Sequence, residues 1–208
     1  QRGGIMSKIL TTQVTGLLQR TEKTGAEMTG DTARVLAQAG IGEGTVYFAC
    51  FGEMEALAIH ALKGSDPFKK SALWHNSIEL NSADRVIIFT NSANNEDALA
   101  LARTLNDAFI PFSAVASEVA SDDNLLSELA YTYVSLKVRG GILPHPEKLG
   151  ERIVFPHLFA ALYVYEAIKI EYDEMVDDDF DDEELSQDSS NLPDADELHG
   201  SIGKSPFA

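Results

Sequence analysis

Small polar side chains follow one apolar segment of this sequence, and their types suit the binding of an anion. The segment 84–97 reads DRVIIFTNSANNED, in which the apolar run 86–89 ends abruptly in hydroxyl and amide side chains. The polar residues concerned are Thr90, Asn91, Ser92 and Asn95. Hydroxyl and amide N–H groups donate hydrogen bonds, which an anion such as phosphate accepts. This stretch is therefore the first candidate for a binding site.

The apolar run predicts a strand, and the residues after the turn predict a helix. Four consecutive apolar residues without alternation are typical of a strand buried on both faces of a parallel sheet. Glu96 and Asp97 open a segment with apolar residues at helical spacing. Ligands bind at such junctions in open parallel sheets, because unpaired N–H groups there favour anions. A plain connection with Asn and Ser as caps is the alternative, and spacing alone leaves both open.

Strands alternate with helices along the rest of the chain, which predicts a doubly wound α/β fold with a mostly parallel sheet. The predicted strands cover 45–50, 84–89, 110–116 and 131–138, while 64–82 is expected to be irregular. The predicted helices cover 8–20, 29–38, 96–107, 122–128 and 155–172, with a further helix after residue 54. The expected caps are Thr29 or Asp31 for the second helix and Ser121 or Asp122 for the helix at 122–128.

Negative charge is concentrated at the end of the chain. The 208 residues carry a formal net charge of -17, from 33 acidic and 16 basic residues. From Glu171 onward there are fourteen acidic residues and one basic residue, a net of -13, which leaves -4 for the rest. A segment of this kind buries too little apolar surface to offset its ordering entropy, so a disordered acidic tail is expected at 175–208. No basic stripe suggests nucleic-acid binding.

Apolar runs and cysteine usage indicate a cytoplasmic protein. No apolar run approaches the ~20 residues that span a membrane, and no signal peptide is expected at the first residues. The single cysteine, Cys50, excludes an internal disulfide and suits a reducing compartment. Residues 1–5 are expected to be an appendage, with Met6 as the natural start and one domain at 6–174.

The order of elements and the turn at 90–97 resemble the SIS (sugar isomerase) domain, a phosphosugar-binding α/β family. Its second strand ends in a Ser-x-Ser-Gly-x-Thr-x-Glu loop around the substrate phosphate. Thr90 and Ser92 match the hydroxyl positions, Asn95 stands at the Thr and Asp97 at the Glu. Ser117 falls at the end of the third strand, and the resemblance makes it a further candidate ligand of the phosphosugar. Within the family the chain resembles phosphoheptose isomerases, and most closely a small group of SIS-like proteins from Gram-positive bacteria.

The turn after the first strand departs from the family pattern. SIS proteins typically have Gly-x-Gly-x-Ser there, whereas residues 50–54 read CFGEM. Gly52 remains and is expected to take part in phosphosugar binding, but Met54 cannot donate a hydrogen bond to phosphate. The final helix usually begins Pro-Ser or Pro-Thr, and here it begins Pro156-His157.

Three side chains near these turns are candidates for proton transfer. Isomerisation of a sugar phosphate needs a base and an acid, which Glu53 or Glu55 could supply together with His157. The alternative is that both carboxylates complement a helix dipole and that His157 is a surface residue. Lys137 is a further candidate as a counter-charge to phosphate. Phosphoheptose isomerases hold zinc partly by histidines on the final helix; this chain has only His157 there, so no metal and no cofactor are expected.

Together these observations and the resemblance predict a three-layer, doubly wound, SIS-like fold with a five-strand parallel sheet and an acidic tail. The expected function is phosphosugar binding with phosphoheptose-like isomerase activity and a degenerate first phosphate loop. The expected partners are a phosphorylated sugar and a second copy of the chain, paired through the first helices. A sugar-phosphate-sensing or dimerising module without catalysis is the alternative.

Overall fold

The structure, a computed structural model, describes residues 2–190, with side chains described for residues 4–177. It contains five α-helices and seven strands in this part of the chain. The helices are α1 (Arg2–Ile41), α2 (Glu55–Lys63), α3 (Glu96–Asp107), α4 (Leu125–Leu129) and α5 (His157–Ser190). The strands are β1 (Val46–Cys50), β2 (Ser71–Leu73), β3 (Arg85–Phe89), β4 (Phe112–Ala116), β5 (Thr132–Ser135), β6 (Leu143–Pro144) and β7 (Arg152–Ile153).

Five of these strands form one parallel sheet in the order β2-β1-β3-β4-β5. Val46 pairs with Arg85 across β1 and β3, and Val86 pairs with Phe112 across β3 and β4. Every residue of β4 is buried, and so are residues 86–89 of β3, as the unbroken apolar run predicts for β3. The predicted five-strand parallel sheet is confirmed.

Alternate side chains of each strand enter two separate cores, because successive residues of a strand point to opposite faces. Phe48, Ile87 and Phe89 pack in one core with α1, α2 and α5. Val86 and Ile88 pack in the other with α3 and α4. The sheet is thus the middle of three layers, and its carboxyl ends are held in place from both faces.

The first helix is longer than predicted. The two helices expected at 8–20 and 29–38 are one helix, α1, and neither expected cap for the second forms. The hydroxyl of Thr29 donates to the Ala26 carbonyl within the helix, and Asp31 pairs with Arg34 on its surface. Packing of α1 along α5 and β5 supports the intervening residues, so tertiary contact overrides their weak local preference for a helix.

A short strand and a helix cap also differ from prediction, and β5 (Thr132–Ser135) is shorter than the strand predicted at 131–138. The segment 64–82, expected to be irregular, contains β2, whose Ser71 pairs with Val46 at the edge of the sheet. Three residues carry no periodic signal, which is why this strand could not be predicted. Helix α4 is capped by Asn124, which accepts a hydrogen bond from the Ser127 N–H, and not by Ser121 or Asp122.

The last helix begins at His157 and runs to Ser190, beyond the predicted end at 172. Residues 191–208 of the predicted acidic tail lie outside the described residues, so the predicted disorder stays a prediction. In the part of the chain that is described, no helix is both long and apolar enough to cross a membrane.

Candidate functional site

Polar side chains from four segments meet at the carboxyl edge of the sheet. Glu53 follows β1, Asn91 and Ser92 follow β3, Glu118 follows β4, and His157 begins α5. We call these five residues the edge cluster and residues 90–95 the serine turn. Because all five sheet strands are parallel, their carboxyl ends share one edge, which brings together residues up to about a hundred positions apart in the chain.

The serine turn binds an anion that belongs to the protein itself. The Ser92 hydroxyl donates to Glu118 Oε1 at 2.7 Å, and the Ala93 N–H donates to Glu118 Oε2 at 2.7 Å. Burial raises the pKa of Glu118, but these two hydrogen bonds and the charge of His157 outweigh it, so the pKa is lowered overall. The turn therefore stabilises a carboxylate, as the sequence suggests for an anion site.

Two other predicted ligands in the turn are engaged within it. The Thr90 hydroxyl is buried and donates to the Ser92 carbonyl at 3.1 Å. The Asn95 side chain accepts the Ala98 N–H at 2.9 Å and so caps α3. Both groups fix the shape of the turn, and Ser92 is left as the hydroxyl directed at the anion.

Glu53 lies beside Asn91 and His157. Gly52, at φ +63°, takes the left-handed conformation that turns the chain after β1 and places Glu53 at the edge. Asn91 Nδ2 donates to Glu53 Oε1, and His157 Nδ1 lies 3.7 Å from the same oxygen. A carboxylate and an imidazole are thus neighbours, as the predicted acid–base pair requires.

Three buried polar atoms around the edge cluster have no hydrogen-bond partner among the described residues. They are Asn91 Oδ1, His157 Nδ1 and Ser117 Oγ. Ser117 adjoins the serine turn, since its N–H donates to the Asn91 carbonyl at 3.3 Å. Buried polar atoms are rarely left unpaired, so this edge has capacity to bind a polar ligand.

Glu55 and Lys137 are placed elsewhere. Glu55 is exposed at the start of α2 and lines a cavity of about 420 Å³ with Cys50 and Trp74. Lys137 is exposed after β5 and lines a different cavity with Arg139. Of the predicted catalytic carboxylates, Glu53 is the one that the fold brings to His157. Glu118 was missed by sequence reasoning; its position directly after Ser117 was the available signal.

The chain has relatives in sequence and in structure. Residues 6–176 match the family model described as "Domain of unknown function (DUF2529)". The protein YwjG of Bacillus subtilis is 29% identical over 172 residues, covering 82% of this chain and 98% of that protein.

Three solved structures resemble the fold. Phosphoheptose isomerase GmhA from Neisseria gonorrhoeae has a TM-score of 0.56 at 11% identity, over 87% of this chain and 100% of that one. The c3406 protein of Escherichia coli CFT073, in complex with arabinose 5-phosphate, has a TM-score of 0.57 at 14% identity. The match covers 83% of this chain and 88% of that one. A longer protein from Silicibacter pomeroyi DSS-3 has a TM-score of 0.58 at 13% identity; the match covers 78% of this chain and 48% of that chain.

At these identities the structural likenesses establish a fold. Together with the five-strand parallel sheet, they show that this chain has the SIS fold. The family match spans the whole of the segment 6–174. The chain therefore belongs to the DUF2529 family.

Proposed function

We propose that this protein binds a phosphorylated sugar at the edge cluster. The observation that carries the proposal is the serine turn, which already holds a carboxylate with one hydroxyl and one backbone N–H. A phosphate oxygen accepts the same two hydrogen bonds. The E. coli neighbour of the same fold is solved in complex with arabinose 5-phosphate, which supports a sugar phosphate as the ligand class. A cytoplasmic homodimer is part of this proposal.

Binding at the serine turn requires Glu118 to move. The Ser92 hydroxyl can donate one hydrogen bond, and Glu118 already accepts it. A phosphate dianion beside an ionised Glu118 would also be repelled, by about 1 kcal/mol or more in this partly desolvated place. We therefore propose that Glu118 occupies the turn while no ligand is bound and leaves it when the sugar phosphate enters.

Thermal unfolding with arabinose 5-phosphate tests the proposal. A ligand at 100 times its Kd stabilises the folded protein by about 2.7 kcal/mol, which raises Tm measurably. Arabinose without phosphate should not do so. Ser92→Leu should abolish the effect because leucine fills the turn, and Ser82→Leu, at an exposed position outside the cluster, should retain it. If neither arabinose 5-phosphate nor a sedoheptulose phosphate raises Tm at millimolar concentration, the proposal fails.

Removing the Glu118 carboxylate should strengthen sugar-phosphate binding. Glu118→Ala frees the Ser92 hydroxyl and the Ala93 N–H, and it removes a negative charge that would repel the phosphate. The affinity for arabinose 5-phosphate should therefore rise by about tenfold, equivalent to about 1.4 kcal/mol. Isothermal calorimetry measures this. Glu128→Ala removes the same charge from an exposed position on α4 and serves as the control. Weaker binding in Glu118→Ala would show that Glu118 is a ligand of the sugar and does not compete with it.

Sugar-phosphate isomerisation of the phosphoheptose-isomerase type is the second candidate function. It is favoured by the distance of 3.7 Å between Glu53 Oε1 and His157 Nδ1. We assign to Glu53 the transfer of a proton between adjacent sugar carbons, and to His157 the protonation of the carbonyl oxygen. Asn91 holds the Glu53 carboxylate in position.

Solvent deuterium exchange separates isomerisation from binding alone. The isomerase should incorporate deuterium beside the carbonyl of arabinose 5-phosphate, and Glu53→Gln should slow this by about 10²–10⁴-fold while ligand binding persists. Glu128→Gln serves as the control for an exposed carboxylate. If the sugar phosphate binds without any incorporation, the isomerase hypothesis is wrong and the non-catalytic sensing module stands.

A further inference from the structure

A second cavity beside the edge cluster is lined by basic side chains. Its volume is about 320 Å³, and its walls come from α1, the segment after β5, β7 and the residue before α5. Four cationic side chains line it, namely Arg20, Lys137, Arg139 and Arg152, and no carboxylate does. We call it the basic cavity. In a chain of net charge -17, four cations around one cavity without an acidic residue are unexpected.

Three of these cations are unpaired among the described residues. The side chains of Arg20, Lys137 and Arg139 form no ion pair or hydrogen bond with this part of the chain, and all three are exposed. Arg152 differs, since its Nε donates to the Gly141 carbonyl at 2.7 Å, and this hydrogen bond links the two residues on one side of the cavity. Like charges that face one cavity repel each other, and a bound anion would turn this repulsion into attraction.

The backbone around the basic cavity is held in a strained shape. Lys137 and Val154 both have left-handed φ angles, 53° and 59°, which are unfavourable in residues with a Cβ. The Lys137 N–H donates to Ser135 Oγ, and the Val154 carbonyl accepts the Ile142 N–H. A Cβ at Gly141 would lie 2.8 Å from the Ile153 carbonyl oxygen, so the chain must approach closely there. These contacts keep the cations around one space.

The basic cavity adjoins the edge cluster without sharing its donors. Pro156, which lines the cavity, precedes His157 in the chain. Ser135 joins the two regions, because its hydroxyl donates to the Ser117 carbonyl at 3.1 Å. No residue of the serine turn lines the cavity. A ligand bound there would therefore be recognised by different groups from those in the proposed phosphosugar site.

We propose that the basic cavity is a separate binding site for a phosphate group. A guanidinium group donates two parallel hydrogen bonds to a phosphate, and the lysine adds a further positive charge. The volume lies at the lower end of the range for small-molecule sites and suits a compact phosphomonoester or free phosphate. This inference goes beyond the proposed function, because it holds whether or not the serine turn binds a sugar phosphate.

A titration with inorganic phosphate, followed by the backbone amide signals in NMR, tests the proposal. The signals of Gly140 and Gly141, which line the cavity, should shift first and saturate together. The signals of Ala93 and Asn94 report on the serine turn in the same experiment. Replacing both exposed arginines, as Arg20→Glu with Arg139→Glu, should weaken the response at Gly140 and Gly141 by about tenfold or more.

Matched variants decide the result. Arg103→Glu with Lys63→Glu makes the same change in net charge at exposed positions on α3 and α2 and should leave the phosphate affinity at Gly140 and Gly141 unchanged. Arg20→Gln with Arg139→Gln, checked by circular dichroism, replaces the double glutamate variant if that one fails to fold. The proposal is overturned if millimolar phosphate shifts neither glycine signal, or if Arg103→Glu with Lys63→Glu weakens binding as much as the double arginine variant does. Shifts confined to Ala93 and Asn94 would also overturn it, while leaving the proposed function intact.

Discussion

Replacing Lys169 by methionine should lower the free energy of unfolding by about 3 kcal/mol, because it leaves the partly buried carboxylate of Asp173 without its cation. Lys169 lies on α5 with 3% of its side chain exposed, and its Nζ donates to Asp66 at 2.7 Å and Asp173 at 2.5 Å. Asp173 is also largely buried, and its Oδ1 has no hydrogen-bond partner among the described residues. Chemical denaturation measures the loss, which corresponds to a fall in Tm of about 6–12 °C.

The pH dependence of stability should change in the same variant. Hydrogen bonding to Lys169 and its charge lower the pKa of Asp66. A carboxyl group whose pKa is lower in the folded state contributes stability above its unfolded pKa and loses it as pH falls through the folded pKa. Lys169→Met should restore the Asp66 pKa toward its ordinary value and remove that part of the acid dependence. Lys63→Met, at an exposed position on α2, is the control, and an equal loss there would contradict the argument.

Gly44→Ala should destabilise the fold by about 3 kcal/mol, since the added methyl group meets backbone atoms that cannot move away. A Cβ at Gly44 would lie 2.0 Å from the Ala83 carbonyl oxygen and 2.5 Å from its carbonyl carbon. Asp84, which follows Ala83, is buried, and its carboxylate accepts hydrogen bonds from the N–H groups of Thr45 and Asn81, both at 2.9 Å. Displacing this segment would break the carboxylate bridge that fixes the starts of β1 and β3 relative to each other.

Gly25→Ala provides the opposite control for that substitution. Gly25 lies inside α1, and a Cβ there meets nothing within 4 Å. Alanine should therefore stabilise the helix by about 0.5–1 kcal/mol through its better helix propensity. Urea unfolding measures the free energy of unfolding of both variants, which should fall in Gly44→Ala and rise in Gly25→Ala. If Gly44→Ala proved as stable as the natural protein, the close packing of residue 44 against Ala83 would be refuted.

Local patterns predicted the sheet better than its edge or the helix boundaries. Strand β3 was predictable because a strand buried on both faces is apolar at successive positions, as residues 86–89 are. The short strand β2 was not, because Leu73 is exposed and three residues show no period. The continuity of α1 was not predictable either, since it depends on packing against α5, which is more than a hundred residues away.

The candidate site was predicted in its residue types and only partly in its contacts. Parallel strands share an edge, so the juxtaposition of Glu53, Asn91 and His157 follows from the fold class. The contact between Ser92 and Glu118 does not, because it depends on the side-chain direction of a residue just past β4. For Asn95 the sequence left two roles open, anion ligand or helix cap, and in the structure its side chain caps α3.

The carboxylate of Glu118 in the serine turn has a consequence for selectivity among anions. Glu118 is tethered beside the two donors, so it competes with any free anion at an effective concentration of about millimolar or above. A free monocarboxylate has the same charge and the same acceptor atoms as the Glu118 side chain. Replacing Glu118 in the turn by such an anion therefore gains little free energy. A phosphate dianion offers twice the charge to Ser92, Ala93 and His157. The turn should therefore discriminate by valence, excluding the abundant monovalent anions of a cell and admitting doubly charged ones.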